Sequence, residues 1–251
     1  MLSLVVPAHN EENFIEDTLG TLDATIQGEN LPYEIVVVDD GSQDNTLAKA
    51  RSYAKSNGHI KVVSYAENVG KGHAVKTGFL RTNGDVVIFV DSDMEIDLNM
   101  VSKYIEALEY SDIVIASKKH PNSSIEMPLS RRILSSGFNT LVRLLTGLPL
   151  KDTQSGFKAM KKSSFAAIFP QLAIKRYAFD VELLAVAYLN GLRIVEMPVK
   201  INLNAKFKIK QIWLMFIDLL AIAYRLRVIH WYQGNLSTKM RFNSIKGVIP
   251  A

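Results

Sequence analysis

The sequence predicts an α/β fold: a mostly parallel sheet flanked by helices across residues 1–200, followed by a basic amphipathic segment, 201–251. Two observations carry this reading. Short β-branched apolar runs alternate with stretches of helical spacing through the first half, the pattern of strands covered on both faces. The charge then divides along the chain. Residues 1–200 hold 21 basic and 24 acidic side chains, and residues 201–251 hold eight basic and one acidic. A −3 body with a +7 tail points to an anionic partner surface, nucleic acid or membrane.

Each element follows in order. Leu2–Val6 is a short buried strand, without the basic region and long apolar stretch of a signal peptide. Glu12–Ile26 has helical spacing through Phe14, Ile15, Leu19, Leu22 and Ile26. Glu34–Val38 is a second strand, and Asn45–Ser56 a helix capped by Asp44 or Asn45. Lys61–Tyr65, Lys71–Thr82 and Asp85–Val90 continue as strand, helix and strand. Met100–Tyr110 reads as helix and Ile113–Ser117 as strand. Lys118–Pro128, polar and with two prolines, reads as a mobile loop. Arg131–Leu145 is an apolar-rich helix, Val181–Leu189 another, and Arg193–Pro198 a strand. The run 212–231 is broken by Asp218, Arg225 and Arg227, so no segment reaches the ~18 apolar residues of a membrane span. The chain has no cysteine, which excludes disulfides and thiolate metal sites and favours an intracellular enzyme.

Ligands of parallel sheets bind outside the carboxyl ends of the strands, and four polar loops fall there. They are Pro7-Ala8-His9-Asn10-Glu11-Glu12, Asp39-Asp40-Gly41-Ser42, Asn68-Val69-Gly70-Lys71-Gly72 and Asp91-Ser92-Asp93. Two carboxylates at one strand tip repel and raise each other's pKa. A divalent cation with a taste for oxygen, Mg²⁺ or Mn²⁺, removes that conflict. Such an ion commonly holds a diphosphate, so Asp91 and Asp93 are the metal candidates. Glu95 stands two residues on, either a third oxygen ligand or a solvated side chain. Asp39 is assigned to the imide or amide edge of a base, and Asp40 to ribose or to the turn. The glycine loop matches neither a P-loop nor a dinucleotide fingerprint, which disfavours an ATPase or a dehydrogenase. Gly70 permits close backbone approach and Lys71 neutralises phosphate.

These four motifs resemble family 2 glycosyltransferases of the GT-A (Rossmann-like) fold, over residues 2–200. The resemblance implies that Pro7, Ala8, Asn10, Glu11, Asp39, Asp40, Gly70, Lys71, Asp91 and Ser92 bind the nucleotide, and that Asp91 and Asp93 reach metal and diphosphate. Three further stretches, Asp152-Thr-Gln-Ser-Gly-Phe-Lys158, Tyr177-Ala-Phe-Asp-Val-Glu-Leu183 and Glu196-Met-Pro-Val199, look like polyprenyl-phosphate sugar synthases. They are most similar to dolichyl-phosphate glucosyltransferases, then to dolichyl-phosphate mannose synthases. Glu95 and Lys118 depart from residues common at those positions in the family.

The resemblance implies inverting transfer of a hexose from UDP-glucose or GDP-mannose to dolichyl or polyprenyl phosphate. An acceptor phosphate is already anionic at neutral pH, its second pKa being near ~6, so no general base is required. Arg131 with Lys118 is assigned to hold it. The lipid tail requires a docking surface. Ile209–Tyr232 fits an interfacial helix, flanked by Trp213 and Trp231, and Arg131–Leu145 a second. That favours a membrane partner over nucleic acid, and peripheral or monotopic residence on the cytoplasmic face. Two other readings stay open. One is transfer to a glycan hydroxyl, with Asp152, Asp180 or Glu182 as base. The other is a silent nucleotide-sugar-binding protein.

Overall fold

The computed structural model describes residues 1–29, 31–92, 100–202 and 209–232. The elements are β1 (Leu2–Ala8), α1 (Ile15–Gln27), β2 (Tyr33–Asp40), α2 (Thr46–Ser56), β3 (Ile60–Tyr65), α3 (Lys71–Arg81), β4 (Val86–Val90), α4 (Val101–Ala107) and β5 (Ile113–Ala116). There follow β6 (Ser124–Glu126), α5 (Leu129–Thr146), β7 (Phe157–Lys161), α6 (Lys162–Phe165), α7 (Phe179–Leu189), β8 (Ile194–Met197), β9 (Lys200–Asn202) and α8 (Ile209–Arg227).

The main sheet runs β3-β2-β1-β4-β7-β5-β8. Six strands are parallel to one another in direction, and β7 alone runs against both its neighbours, β4 and β5. This inserted antiparallel strand was not legible in the sequence. Its register pairs Phe157 with Val90, which carries the residues just before it to the tip of β4. The expected loop at 118–128 also contains structure, since β6 pairs with β9 in a separate two-stranded ribbon.

Successive strand residues point to opposite faces, and each face has its own core. On one, Leu4, Val6, Ile35, Val37 and Ile88 meet Ile15, Leu19, Leu22 and Ile26 of α1. On the other, Val5, Val36, Val38 and Phe89 meet Phe79 of α3, Phe179 of α7, and Leu219, Ile222 and Leu226 of α8. Pro7, within β1, falls where the pairing with β4 has ended, so its missing N–H forfeits no ladder bond to β4.

Helix α8 divides its apolar side chains between two environments. Met215, Leu219, Ile222 and Leu226 are buried, while Trp213, Ile217, Leu220 and Tyr224 are exposed. Both sets recur at intervals of three or four, so they form two stripes of one helix. Its middle and the residues just past its end are tied to the body. Arg176 pairs with the buried Asp218 at 3.1 Å, and the buried Tyr232 hydroxyl donates to Glu182. Helix α5, packed beside α8, buries only Asn139 and Val142 and exposes Leu129, Ile133, Leu134, Leu141 and Leu144. Gly147, at φ 77°, ends it. Among the described residues no helix is long and apolar enough to cross a membrane.

Candidate active site

A cleft of about 460 Å³ opens at the carboxyl ends of the parallel strands, a size suited to a small-molecule ligand. Of the residues expected to act, Pro7, Ala8, Glu11, Asp40, Gly70, Lys71, Asp91, Ser92, Lys118 and Arg131 line it. Asn10, which is exposed, and Asp39, which is buried, are not part of its lining. Asp93 and Glu95 lie outside the described residues.

The loops that form the cleft are stapled together by their own side chains. Asn10, at φ 57°, donates its N–H to Ser42 Oγ at 3.0 Å and accepts from the Gln43 N–H at 2.9 Å. His9 Nδ1 lies 2.8 Å from the Asp40 carbonyl oxygen. Asp40 holds the neighbouring glycine loop: its carboxylate accepts the Val69 and Gly70 N–H groups, each at 2.9 Å. Gly70 itself has φ 118°, and a Cβ there would lie 2.5 Å from the Lys175 carbonyl oxygen. Only glycine meets both demands. The glycine loop is therefore fixed between Asp40 on one side and the chain before α7 on the other.

Asp39, in register with Ala8, is buried. One of its oxygens accepts the Ser64 hydroxyl at 3.1 Å, and the other, Oδ1, has no partner among the described residues. A buried carboxylate oxygen without a donor is costly, and a ligand N–H would relieve it.

At the tip of β4 the Asp91 carboxylate is about one-third exposed and meets Lys71 Nζ at 2.6 Å and 2.8 Å, one distance to each oxygen. The ammonium stands where a cation is wanted. A hard oxygen donor facing the cleft and already drawing a cation fits Mg²⁺ or Mn²⁺. Asp91, with Asp93 and Glu95 as the sequence expects, would hold that ion, which supplies charge neutralisation for a diphosphate. Gly156, preceding β7, presses on the same group: a Cβ there would lie 2.6 Å from Asp91 Cγ. The sequence reading passed over Gly156, because the β4–β7 pairing that brings it there is invisible in sequence. Its signal was a glycine immediately before a strand, where close backbone approach is common.

Two largely buried cation–anion pairs border the cleft, through Lys118 and Asp180. Lys118 Nζ meets Asp152 at 2.9 Å, and Asp152 also accepts the Lys118 N–H at 2.9 Å. Burial alone would raise the Asp152 carboxyl, but Lys118 wins and holds it below the usual carboxylate range. Lys158 donates to the Ser155 carbonyl oxygen at 2.6 Å and pairs with Asp180 at 2.7 Å. Lys118, expected to face the acceptor, is thus already engaged with Asp152, although it still lines the cleft. Glu182 is fully buried and accepts the Ala173 and Ile174 N–H groups and the Tyr232 hydroxyl. Arg176 and Gln154, also unassigned from sequence, line the cleft as well.

Such a cleft, at the strand ends of a mostly parallel sheet with a carboxylate poised for a cation and glycine loops for phosphates, defines a nucleotide-diphosphate-binding transferase of the GT-A fold. Comparison narrows the class. Residues 3–169 match the family described as Glycosyl transferase family 2, and the chain belongs to that family and is a glycosyltransferase. It is 35% identical over 243 residues to a dolichyl-phosphate beta-glucosyltransferase of Trichomonas vaginalis, covering 92% of this chain and 75% of that protein. It is 31% identical over 222 residues to the dolichyl-phosphate beta-glucosyltransferase of Saccharomyces cerevisiae, covering 79% of this chain and 66% of that one. In fold it resembles glucosyl-3-phosphoglycerate synthase of Mycobacterium tuberculosis, with a TM-score of 0.68, 20% identity, and coverage of 89% of this chain and 79% of the other. That enzyme is also known in a complex with Mn²⁺ and UDP-glucose.

Proposed function

We propose that this protein transfers glucose from UDP-glucose to dolichyl or another polyprenyl phosphate, using Mg²⁺ or Mn²⁺, while docked on the cytoplasmic face of a membrane. The observation that carries the choice of acceptor is the commitment of its carboxylates. A hydroxyl acceptor needs a general base, and the three candidates are occupied: Asp152 by Lys118, Asp180 by Lys158, and Glu182 by backbone amides. A phosphate monoester needs none. Its oxygen attacks the anomeric carbon in line as the bond to the β-phosphate oxygen breaks, and UDP leaves with the electron pair. No proton is transferred, and the configuration inverts. Lys71 neutralises the diphosphate, and Arg131 on α5 holds the acceptor phosphate.

Two further features support the donor and the setting. Among the described residues Asp39 has one oxygen without a partner, which suits the single imide N–H of uracil better than the two donors on guanine's amide edge. The relatives named above are glucosyltransferases. The exposed apolar side chains of α5 and α8, beside Arg143 and Arg227, suit an anionic leaflet.

The test is incubation with labelled UDP-glucose or GDP-mannose, divalent metal and dolichyl phosphate, followed by organic extraction. Label from UDP-glucose in the lipid phase is expected; label from GDP-mannose instead would overturn the donor assignment. Asp93→Ala should abolish transfer, and full activity in that variant would refute the metal assignment.

A further inference from the structure

Beside the nucleotide cleft the fold encloses a second cavity of about 520 Å³. The two meet at Lys118, Met127 and Ser135, which line both. Helix α5 is the shared wall, and its consecutive arginines serve different sides. Arg131 lines the cleft and Arg132 the second cavity, as neighbours set roughly 100° apart on a helix can.

The second cavity is strongly cationic. Lys118, Lys119, His120 and Arg132 line it, and Asp152 is the one carboxylate on its wall. Asp152 is already neutralised by Lys118 at 2.9 Å. Among the described residues no carboxylate lies within ion-pair distance of Lys119 or Arg132. Half-burial, and then the neighbouring Arg143, hold the Lys119 ammonium below its usual pKa. Asp152 and, behind the lining, Glu196 offset part of the charge on Lys119, but the cations outnumber the one lining carboxylate, and an excess of cations in a concave, partly desolvated site attracts an anion and strengthens its hydrogen bonds. Ile125 and Met127 add an apolar strip to the same wall, and the exposed Leu129 and Ile133 of α5 follow in sequence. The site therefore joins positive charge to an apolar path.

We propose that this cavity is a second phosphate-ester site, which takes the anionic head of a lipid and passes it across Lys118 and Ser135 to Arg131 in the cleft. The proposal rests on the lipid-phosphate reading above, and binding tests it independently of transfer. The protein is titrated with farnesyl phosphate and with inorganic phosphate in detergent, and separately, without detergent, with phosphatidylglycerol vesicles, all in the absence of donor. Lys119→Met with Arg132→Met should weaken farnesyl phosphate binding at least tenfold and leave UDP-glucose binding unchanged. The charge-preserving pair Lys119→Arg with Arg132→Lys should restore it, and an unchanged melting temperature separates loss of site from loss of fold. If the double Met variant fails to fold, Lys119→Gln alone carries the same expectation in weaker form. Loss of vesicle binding with intact farnesyl phosphate binding would assign the site to bilayer phospholipid. Loss of inorganic phosphate binding as well would show that the head group alone is recognised. Wild-type binding of all three probes by the double variant overturns the proposal. Altered binding in a protein that transfers no sugar would leave the site standing and remove the transferase reading instead.

Discussion

Replacing Gly156 by alanine tests the geometry at Asp91 most directly. The backbone at Gly156 lies outside the left-handed region, so alanine is locally permitted and would by itself stabilise by ~0.4–1 kcal/mol through the unfolded chain. The cost is steric. The new Cβ would sit 2.6 Å from Asp91 Cγ, against ordinary carbon contacts of about 3.5 Å, so roughly 0.9 Å must be found. Backbone supplies it reluctantly, because β7 is paired on both edges, and the displaced group is therefore the Asp91 carboxylate. Moving it lengthens its 2.6 Å and 2.8 Å contacts with Lys71 and shifts the ligand for metal and diphosphate. A misplacement of that size costs about 10²-fold in rate, while overpacking costs about 1–3 kcal/mol of stability. Initial rates of glucose transfer to a short polyprenyl phosphate should fall about a hundredfold in a variant that still melts cooperatively. Gly58→Ala, where a Cβ meets nothing within 4 Å, is the control and should leave the rate unchanged and the stability equal or up to ~1 kcal/mol higher. If Gly156→Ala folds and keeps its rate within twofold, the close approach to Asp91 has no part in the chemistry.

Three other outcomes are expected. Asp39→Asn should raise the KM for UDP-glucose by ~10–100-fold, the loss of one charge-assisted hydrogen bond of about 1.5–3 kcal/mol, and should leave thermal stability equal or higher; an unchanged KM in steady-state assays would exclude Asp39 from base recognition. Glu34 is pushed up by burial, but Lys61, the Asn83 N–H and Ser3 hold its carboxyl down at about 2, from an ordinary 4.5. Its stabilisation is therefore present above pH 4.5 and is lost as pH falls from 4.5 toward 2, worth about 2 kcal/mol after allowing for the half-exposed Lys61; Glu34→Gln should flatten that acid limb in urea denaturation, and an unaltered limb would contradict it. Leu144→Glu with Trp213→Glu, both outward-facing, should weaken sedimentation with anionic vesicles by ~100-fold, each apolar side chain contributing about 1.5–3 kcal/mol when buried, without altering the melting temperature.

Much of this protein is determined by local sequence. Continuous β-branched runs form parallel strands wherever both faces are covered, and helical spacing between them decides which side each crossover covers. Polar loops then fall at the strand ends by necessity, so Pro7, Asp40, Gly70, Lys71 and Asp91 were legible as one cleft before any coordinate. A helix over 209–232 with a broad apolar face was legible too, and Ile209–Arg227 is helical. Other features only the tertiary structure decided. β7 enters antiparallel between β4 and β5, and strand neighbours are chosen by pairing between segments far apart in the chain, which no local periodicity encodes. That choice sets Gly156 against Asp91. The fate of each charge was equally non-local: Lys118 pairs with Asp152, Lys158 with Asp180, and Arg176 with Asp218, across 22 to 42 residues of chain. Composition reports that these ions exist, but only packing brings the partners within 2.7–3.1 Å and shields their carboxylates from water, and that contact decides which carboxylates are already taken. The same packing splits α8 into a stripe that completes the core and a stripe that faces outward.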